Sequence, residues 1–372
     1  MKILAFETSC DETSAAVLQG DTAHPVSVLS NIVSSQIAIH AKWGGVVPSL
    51  AAREHLKNCI PVINSALEHG KTNLDSVDLF TVTQGPGLIP ALLIGTNVAK
   101  TLSYFHKKPL IGIHHIEGHI YANLLKTNDD PKKLFPLISL IVSGGHTQLI
   151  RMKGHFQYEI IGQTHDDAVG EAFDKVSKML DLGYPGGPIV SKRAQDFEKN
   201  ISAIKNKKLK DALLSISFPR PMISSNDLNF SFSGLKTAVL YFMKDMKKKK
   251  TGTETMELYK GAICYAFQEA AIEVLVSKTM DAVRQFAPLT LLVAGGVAAN
   301  KKLIEKLKES INELDSVRFI SPKLEYCGDN AAMIGVAAFY RYNALEKANR
   351  LKELGNNWKT LEADANMKLQ KI

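Results

Sequence analysis

Two histidines four positions apart, His115 and His119, are the residues in this sequence best suited to bind a metal ion. In a helix, positions i and i+4 lie on one face about one turn apart, so both imidazoles can be directed at the same ion. Zinc peptidases place a glutamate directly after the first histidine, whereas Glu117 comes one position later and points to another face. The spacing therefore predicts a metal site and disfavours a peptidase; histidines that pack in the core or face solvent are the alternative.

A carboxylate from elsewhere in the chain is expected to complete this site, and the best candidate is Asp329, in the segment Tyr326–Met333. An aspartate before a helical run is also a common N-cap, so a purely structural role is the alternative. Two histidines and one carboxylate with open coordination positions suit Fe(II) or Zn(II). The sequence does not decide between the two metals.

Glycine-rich and polar turns are the second set of residues that could take part in ligand binding or catalysis. In Ser143-Gly144-Gly145, paired glycines let backbone N–H groups approach phosphate oxygens, and the polar turn Glu7–Thr13 is predicted to face it. In the segment Ala294–Asn300, glycines let a purine or ribose rest on the backbone while Asn300 supplies amide hydrogen bonds. These turns match neither the P-loop nor the dinucleotide fingerprint, and ordinary hairpin turns are the alternative.

Three acidic residues, Asp167, Glu171 and Asp174, follow each other at spacings of four and three, which places them on one face of a helix. Clustered carboxylates of this kind can bond ribose hydroxyls or a substrate amine. A solvated acidic face is the alternative.

Alternating strands and helices must position these residues. The sequence predicts apolar strands that stop at turns, amphipathic helices between them, and hence an α/β fold. The strand–turn–strand pattern near residue 1 recurs near residue 136, which predicts two similar lobes, 1–135 and 136–345. A linker at Asn128–Pro131 is expected to join them. The composition of the tail, residues 346–372, favours partial mobility. The predicted strands are 3–6, 15–18, 136–142, 147–151 and 289–293, and the predicted helices are 49–69, 168–180, 257–284 and 330–342.

The composition is that of a globular chain with an anionic partner. Its 372 residues are 45% hydrophobic and 22% charged, and Lys plus Arg exceed Asp plus Glu by 45 − 37 = 8. This excess favours a nucleotide or RNA partner, with simple solubility as the alternative. The lysine-rich runs 205–210 and 244–250 are either solvated segments or a footprint for RNA phosphates.

Cysteine usage and hydropathy predict a cytoplasmic protein without a membrane span. The four cysteines form no C-x-x-C pair, and neither a signal peptide nor an uncharged apolar stretch of about 18 residues is found. We therefore expect free thiols in a reducing compartment.

Taken together, these motifs resemble the tRNA N6-adenosine threonylcarbamoyltransferases of the bacterial or organellar type. The matching segments run in order across about residues 1–342: Glu7–Thr13, Gly44–Pro48, Gly85-Pro-Gly87, His115 and His119, Val142–His146, Gly170–Lys175, Tyr184–Pro188, Phe230–Lys236, Ala294–Val297 and Asp329-Asn330.

The resemblance implies an actin-like ATPase fold with the active site in the cleft between the lobes, and a last helix able to pack back on the first lobe. It implies transfer of a threonylcarbamoyl group from threonylcarbamoyl-AMP to the N6 amine of adenosine 37, forming t6A in tRNAs that read ANN codons. His115, His119 and Asp329 match the ligands of one divalent metal, Fe2+ ahead of Zn2+. The implied partners are tRNA, a degenerate paralogue and a small P-loop ATPase, with ATP used by the assembly.

The same resemblance assigns contacts with the adenylate to two groups of residues. They are Ile141, Val142, Ser143, Gly144 and Gly145 in the first turn, and Asp174, Gly187 and Asn300 elsewhere in the second lobe.

Asp11 and Glu12 are the candidates for proton removal or for orienting the substrate amine. The adenine amine is a poor nucleophile because its lone pair is delocalised, so the enzyme must orient it and stabilise the developing oxyanion. A small-molecule kinase or a nucleotide-dependent scaffold on the same fold is the alternative. The histidine pair disfavours a kinase, because magnesium is held by carboxylates and water.

Overall fold

The computed structural model describes residues 1–21, 26–125, 133–248, 253–314 and 316–369. The predicted linker Asn128–Pro131 and the end of the second lysine-rich run lie outside these residues.

The first half of the chain forms a five-stranded mixed sheet. Strands β1 and β2 are antiparallel, as are β2 and β3, whereas β1, β4 and β5 run parallel. The order is β3-β2-β1-β4-β5. The strands are β1 (Lys2–Glu7), β2 (Glu12–Gln19), β3 (Ser27–Ser35), β4 (Leu79–Gly85) and β5 (Leu110–His114), and the helices that follow them are α1 (Ile37–His40), α2 (Pro48–His69), α3 (Ile89–His106) and α4 (His115–Ala122).

Alternation along β1 explains why both faces of this sheet are covered. Leu4 and Phe6 join the core beneath α2, whereas Ile3 and Ala5 point to the opposite side and join a second core. Successive side chains of a strand point to opposite faces, so a strand buried on both faces is apolar at nearly every position.

The second half repeats this topology. Its sheet has the order β8-β7-β6-β9-β10, with β6, β7 and β8 antiparallel and β6, β9 and β10 parallel. The strands are β6 (Leu137–Val142), β7 (Thr147–Met152), β8 (Tyr158–Gln163), β9 (Thr290–Ala294) and β10 (Arg318–Ile320). The helices are α5 (Val169–Met179), α6 (Gly186–Asn200), α7 (Lys207–Leu214), α8 (Ser233–Lys248), α9 (Thr253–Phe286), α10 (Lys301–Asn312), α11 (Ala331–Lys347) and α12 (Asn357–Thr360).

Two sheets with the same strand order and the same directions confirm the α/β class and the pair of similar lobes. The fold is of the actin-like ATPase type. The helix α11 packs against the first sheet: Ala331 N donates to Ser14 Oγ at 2.9 Å, and Ala332 N donates to Asn31 Oδ1 at 3.2 Å. Side chains of α4, α11, β1 and β6 share one central core between the sheets.

The predicted strands and helices are confirmed, with longer limits for α9 and α11. The composition of the tail favours partial mobility, whereas residues 351–367 pack against the first sheet. Leu361 is buried in the core beneath that sheet, and Asn357 Nδ2 donates to Leu110 O at 2.8 Å. Contacts made to backbone atoms depend little on side-chain hydropathy, so the hydropathy of the tail does not predict this packing.

Among the helices that the structure describes, none is long and apolar enough to cross a membrane.

Candidate active site

The paired histidines lie on α4, with His115 as its first residue, and meet the carboxylate that precedes α11. Asp329 Oδ1 is 3.5 Å from His115 Nε2 and 3.2 Å from His119 Nε2. The two imidazoles are nearly perpendicular, with ring centroids 4.7 Å apart. The N-cap of α11 is Asn330, whose Oδ1 accepts from Met333 N at 3.1 Å, so Asp329 is free of the capping role.

The geometry of these three side chains fits a divalent metal. One nitrogen or oxygen of each lies within 4.8 Å of the others. Ligands of a tetrahedral zinc site lie about 3.3 Å from one another, given metal–ligand distances of about 2.0–2.1 Å. Both ring nitrogens of His119 are buried and neither makes a well-formed hydrogen bond, although Nε2 is close to Asp329. Buried imidazole nitrogens without partners are costly, and a bound ion would satisfy one of them.

Glu7 orients the first histidine, and the sequence analysis did not identify it. This carboxylate is fully buried at the end of β1, and its Oε2 is 3.1 Å from His115 Nδ1. Ser9 Oγ is 3.2 Å from the same nitrogen, and Thr83 Oγ1 donates to Glu7. A carboxylate on Nδ1 fixes the tautomer and turns Nε2 toward the metal. The one sequence feature that could have indicated this role is an acidic residue at the end of an otherwise apolar strand.

Opposite charges dominate the electrostatics of this cluster. Burial would lower the pKa of His115, but the carboxylates of Asp329 and Glu7 outweigh it and raise that pKa to about 9. Burial would raise the pKa of Asp329, but His115 and His119 hold it well below its usual range. Burial, reinforced by the charges of His115 and His119, lowers the pKa of His146 to about 4, so that imidazole is neutral. His146 directly follows the glycine-rich turn, so the charges of His115, His119 and Asp329 act on a residue next to that turn.

The turn Ser143-Gly144-Gly145 joins β6 to β7 and is open to solvent at its glycines. Both glycines are exposed, and an added Cβ at either would meet nothing within 4 Å, so the space beside them is open. Ser143 Oγ accepts from His146 N at 3.1 Å and stabilises the turn. The side chains of Ile141 and Val142 are fully buried, so these two residues have only main-chain atoms available for the predicted contact.

Asp174 acts on the backbone of the next helix. Its Oδ1 accepts from Gly186 N at 2.7 Å. An added Cβ at Gly187 would meet nothing within 4 Å, whereas one at Gly186 would lie 2.6 Å from the Cα of Asp174. The start of α6 is therefore fixed against α5, with Gly187 facing open space.

The predicted acidic face is not a free carboxylate cluster. Asp167 precedes α5 and pairs with Lys175 at 2.7 Å and Lys236 at 2.8 Å, and Glu171 pairs with Lys175 at 2.8 Å. Lysines already pair with Asp167 and Glu171, so fewer of their oxygens are free for a ribose or an amine, and that role stays a prediction.

Asn300 has a structural role that the sequence analysis did not foresee. Its Oδ1 caps α10 by accepting from Leu303 N at 3.2 Å, and its Nδ2 donates to Ser191 Oγ at 2.9 Å and Gln268 Oε1 at 3.0 Å. The side-chain amide is thus fully engaged within the protein. The expectation that this amide supplies hydrogen bonds to a nucleotide would require these contacts to be exchanged.

Asp11 directly precedes β2 and Glu12 is the first residue of that strand, so both belong to the first half of the chain. Burial, followed by the charges of Asp11 and Asp329, raises the pKa of Glu12 to about 10. Burial and the charges of Asp11 and Asp174 raise the pKa of Tyr184. After burial, the charge of Asp11 is among the causes that raise the pKa of Asp174 as well as that of Tyr184, so a residue of the first half acts electrostatically on residues of the second.

The comparison with known sequences decides the family. The sequence profile of TsaD, tRNA N6-adenosine threonylcarbamoyltransferase, matches residues 27–336. The chain belongs to the TsaD family. The chain is 45% identical to the tRNA N6-adenosine threonylcarbamoyltransferase of Persephonella marina over 345 residues, 92% of this chain and 90% of that protein. It is 43% identical to the enzyme of the same name from Thermosipho africanus over 369 residues, 99% of this chain and 100% of that protein.

The solved structures that align with this TsaD-family chain have low sequence identity to it. An activator of the 2-hydroxyisocaproyl-CoA dehydratase from Clostridium difficile has a TM-score of 0.48 at 9% identity, with 94% of this chain and 98% of that chain covered. The fold assignment depends on the duplicated sheet topology and not on this likeness. Family membership confirms the resemblance drawn from the motifs and identifies the chain as a transferase.

Proposed function

We propose that this chain transfers the threonylcarbamoyl group of threonylcarbamoyl-AMP to the N6 amine of adenosine 37, forming t6A in tRNAs that read ANN codons. The observation that carries the proposal is the meeting of His115, His119 and Asp329, whose charges act on His146 directly after the open Ser143–Gly145 turn. Family membership supports this activity over a kinase or a scaffold.

The reaction is an acyl transfer from a mixed anhydride. The N6 nitrogen attacks the carbamoyl carbonyl carbon, a C–N bond forms, the C–O bond to phosphate breaks, and AMP leaves. The N6 proton must pass to a base in or after this step. Because AMP is a good leaving group, the enzyme's main tasks are to orient the weak nucleophile and to stabilise negative charge on the carbonyl oxygen.

His115, His119 and Asp329 would hold the divalent metal, and Glu7 would keep His115 in the ligating tautomer. When bound, the ion supplies a Lewis acid and a template for the anionic donor. Two nitrogens and one oxygen suit Fe2+, our first choice, and Zn2+.

The adenylate phosphate would be bound by backbone N–H groups of Ser143, Gly144 and Gly145. Support comes from the exposure of the two glycines and from the absence of any group within 4 Å of their added Cβ atoms. Asp174 would act indirectly by fixing Gly186 and Gly187 against the same cleft.

Asp11 is our candidate for the base, and Glu12 for orienting the amine. The burial of Glu12 keeps its pKa at about 10, so this carboxyl is protonated near neutral pH and can donate a hydrogen bond. A protonated carboxyl cannot remove the N6 proton, which leaves that role to Asp11.

The partners we propose are tRNA, a degenerate paralogue and a small P-loop ATPase, with ATP used by the assembly in the cytoplasm. The net charge of +8 supports an RNA partner.

The direct experiment incubates the purified chain with these partners, threonylcarbamoyl-AMP and unmodified tRNA, digests the tRNA and measures nucleoside masses. We expect the mass of t6A from the wild-type chain, and little from His119→Ala or from a tRNA with guanosine at position 37. A folded, metal-loaded wild-type chain that forms no t6A would contradict the proposal.

A further inference from the structure

A strap formed by residues 361–367 lies across the carboxyl end of β4. Gln84 exchanges two hydrogen bonds with it: its Nε2 donates to Glu362 O at 2.9 Å, and its O accepts from Asp364 N at 2.9 Å. Gly87 N donates to Ala365 O at 3.4 Å. The strap therefore lies over the Gly85-Pro-Gly87 segment, for which the proposed chemistry gives no role.

Gly85 and Gly87 have no side chain, so two other backbone segments can pack closely against this one from different sides. An added Cβ at Gly85 would overlap the carbonyl oxygen of Asp364. An added Cβ at Gly87 would lie 2.6 Å from Ser9 O, and Ser9 Oγ is 3.2 Å from His115 Nδ1. The strap is thus packed onto the same backbone that supports the surroundings of the first metal ligand.

A more direct connection runs through His114. Its Nε2 is 3.0 Å from Met367 O, and its Nδ1 accepts from Ile116 N at 3.2 Å as the N-cap of α4. Because Nδ1 accepts, the ring proton is on Nε2 and is donated to the strap. One imidazole therefore joins the strap to the first turn of the helix that begins at His115.

We propose that His114 is a positioning residue that couples docking of the strap to the placement of the two histidines at the metal centre. The helix α4 has only 8 residues, and its first residue is the ligand His115. A change in the cap is therefore transmitted to the ligand without intervening structure. The inference depends on the metal centre of the proposed function, and it adds that metal affinity depends on a segment of chain remote in sequence.

Three variants break the connection at different points. His114→Asn keeps a good N-cap but is too short to reach Met367 O. Gly85→Ala pushes the strap away through its new Cβ, and deletion of residues 363–372 removes most of the strap while keeping buried Leu361. Gly355→Ala is the matched control, because its Cβ would meet nothing within 4 Å.

The measurements are the affinity for Co2+, read from its visible absorbance, and hydrogen exchange of the amides of α4 in the metal-free chain. We expect each of the three variants to bind Co2+ about tenfold more weakly, the low end of the range for residues that orient metal ligands. Exchange in α4 should quicken, and the control should match the wild type. Combining His114→Asn with the deletion should add little to either alone.

Unchanged Co2+ affinity and unchanged exchange in His114→Asn and Gly85→Ala would overturn the coupling, whether or not the deletion variant folds. Additive losses in the combined variant would overturn it as well. A wild-type chain that binds no Co2+ would instead contradict the metal centre, and the exchange measurement on the metal-free chain would still decide whether the strap controls α4.

Discussion

Glu7 determines which nitrogen of His115 faces Asp329. Its Oε2 is 3.1 Å from Nδ1, which leaves Nε2 at 3.5 Å from the carboxylate of Asp329. The proposed metal ligand His115 therefore needs a buried hydrogen-bond partner from β1, on the side of its imidazole opposite Asp329.

Substituting Glu7→Gln should weaken metal binding by about 10–100-fold, because an amide cannot stabilise the ligating imidazole as a carboxylate does. Titration with Co2+ under equal ionic strength measures the effect. Thr83→Val is the matched control, since it removes a hydroxyl that donates to Glu7 but keeps the carboxylate. Equal affinity of the Glu7→Gln and wild-type chains would show that Glu7 does not orient the ligand.

Asp11 and Glu12 should differ in their effect on the chemical step. We expect Asp11→Asn to slow transfer by about 100-fold or more, the usual loss for a general base, and Glu12→Gln to slow it less than tenfold. Single-turnover transfer from threonylcarbamoyl-AMP to tRNA gives both rates. A larger loss for Glu12→Gln than for Asp11→Asn would reverse the two roles.

At the level of elements, α4 and α11 must keep a fixed relation because each carries part of the metal site. Glu117 is fully buried on α4 and makes a bidentate ion pair with Arg341 of α11, at 3.0 Å and 2.6 Å. Gly118 lets the helices approach, since an added Cβ would lie 2.7 Å from Ile334 Cδ1.

Substituting Arg341→Met should lower the free energy of unfolding by about 3 kcal/mol or more, because it leaves a buried carboxylate without its partner. Denaturant unfolding of the metal-free chain measures the loss. The double variant Glu117→Met/Arg341→Met should recover much of it, as apolar replacement of both partners is often neutral. A double variant less stable than Arg341→Met would contradict this reasoning.

The contact between α5 and the glycine-rich turn makes a second prediction at this level. An added Cβ at Gly170 would lie 2.6 Å from Ser143 O, a backbone atom that can move only with the turn. We expect Gly170→Ala to weaken binding of AMP by about tenfold, equivalent to about 1.4 kcal/mol, while Gly154→Ala leaves it unchanged. Calorimetric titration with AMP measures both. Wild-type affinity in Gly170→Ala would argue against phosphate binding at this turn.

At the level of the whole molecule, strand periodicity and glycine turns were sufficient to predict two similar α/β lobes. The spacing of His115 and His119 predicted their common helix face. The partner Asp329 is 210 positions beyond His119, and it was named as the best candidate carboxylate with an N-cap role left open until the family resemblance matched it to a metal ligand. A pair so distant in sequence has no local signature.

Other features were missed because their interactions are made by groups that sequence patterns do not report. The strap is held mainly through its own backbone atoms, which bond to Gln84 and Gly87, and its acceptor for His114 is a carbonyl. The roles of Asp167 and Asn300 depended on which lysine, serine or glutamine lay nearby, which spacing alone does not predict.

The most direct test of the proposed metal-assisted transfer is the yield of t6A in one turnover by the wild-type chain before metal removal, after removal, and after the ion is restored. Metal content is measured in each sample. We predict that transfer falls to near background on removal and returns with one ion per chain. Full transfer by a chain shown to be metal-free would contradict the role assigned to His115, His119 and Asp329.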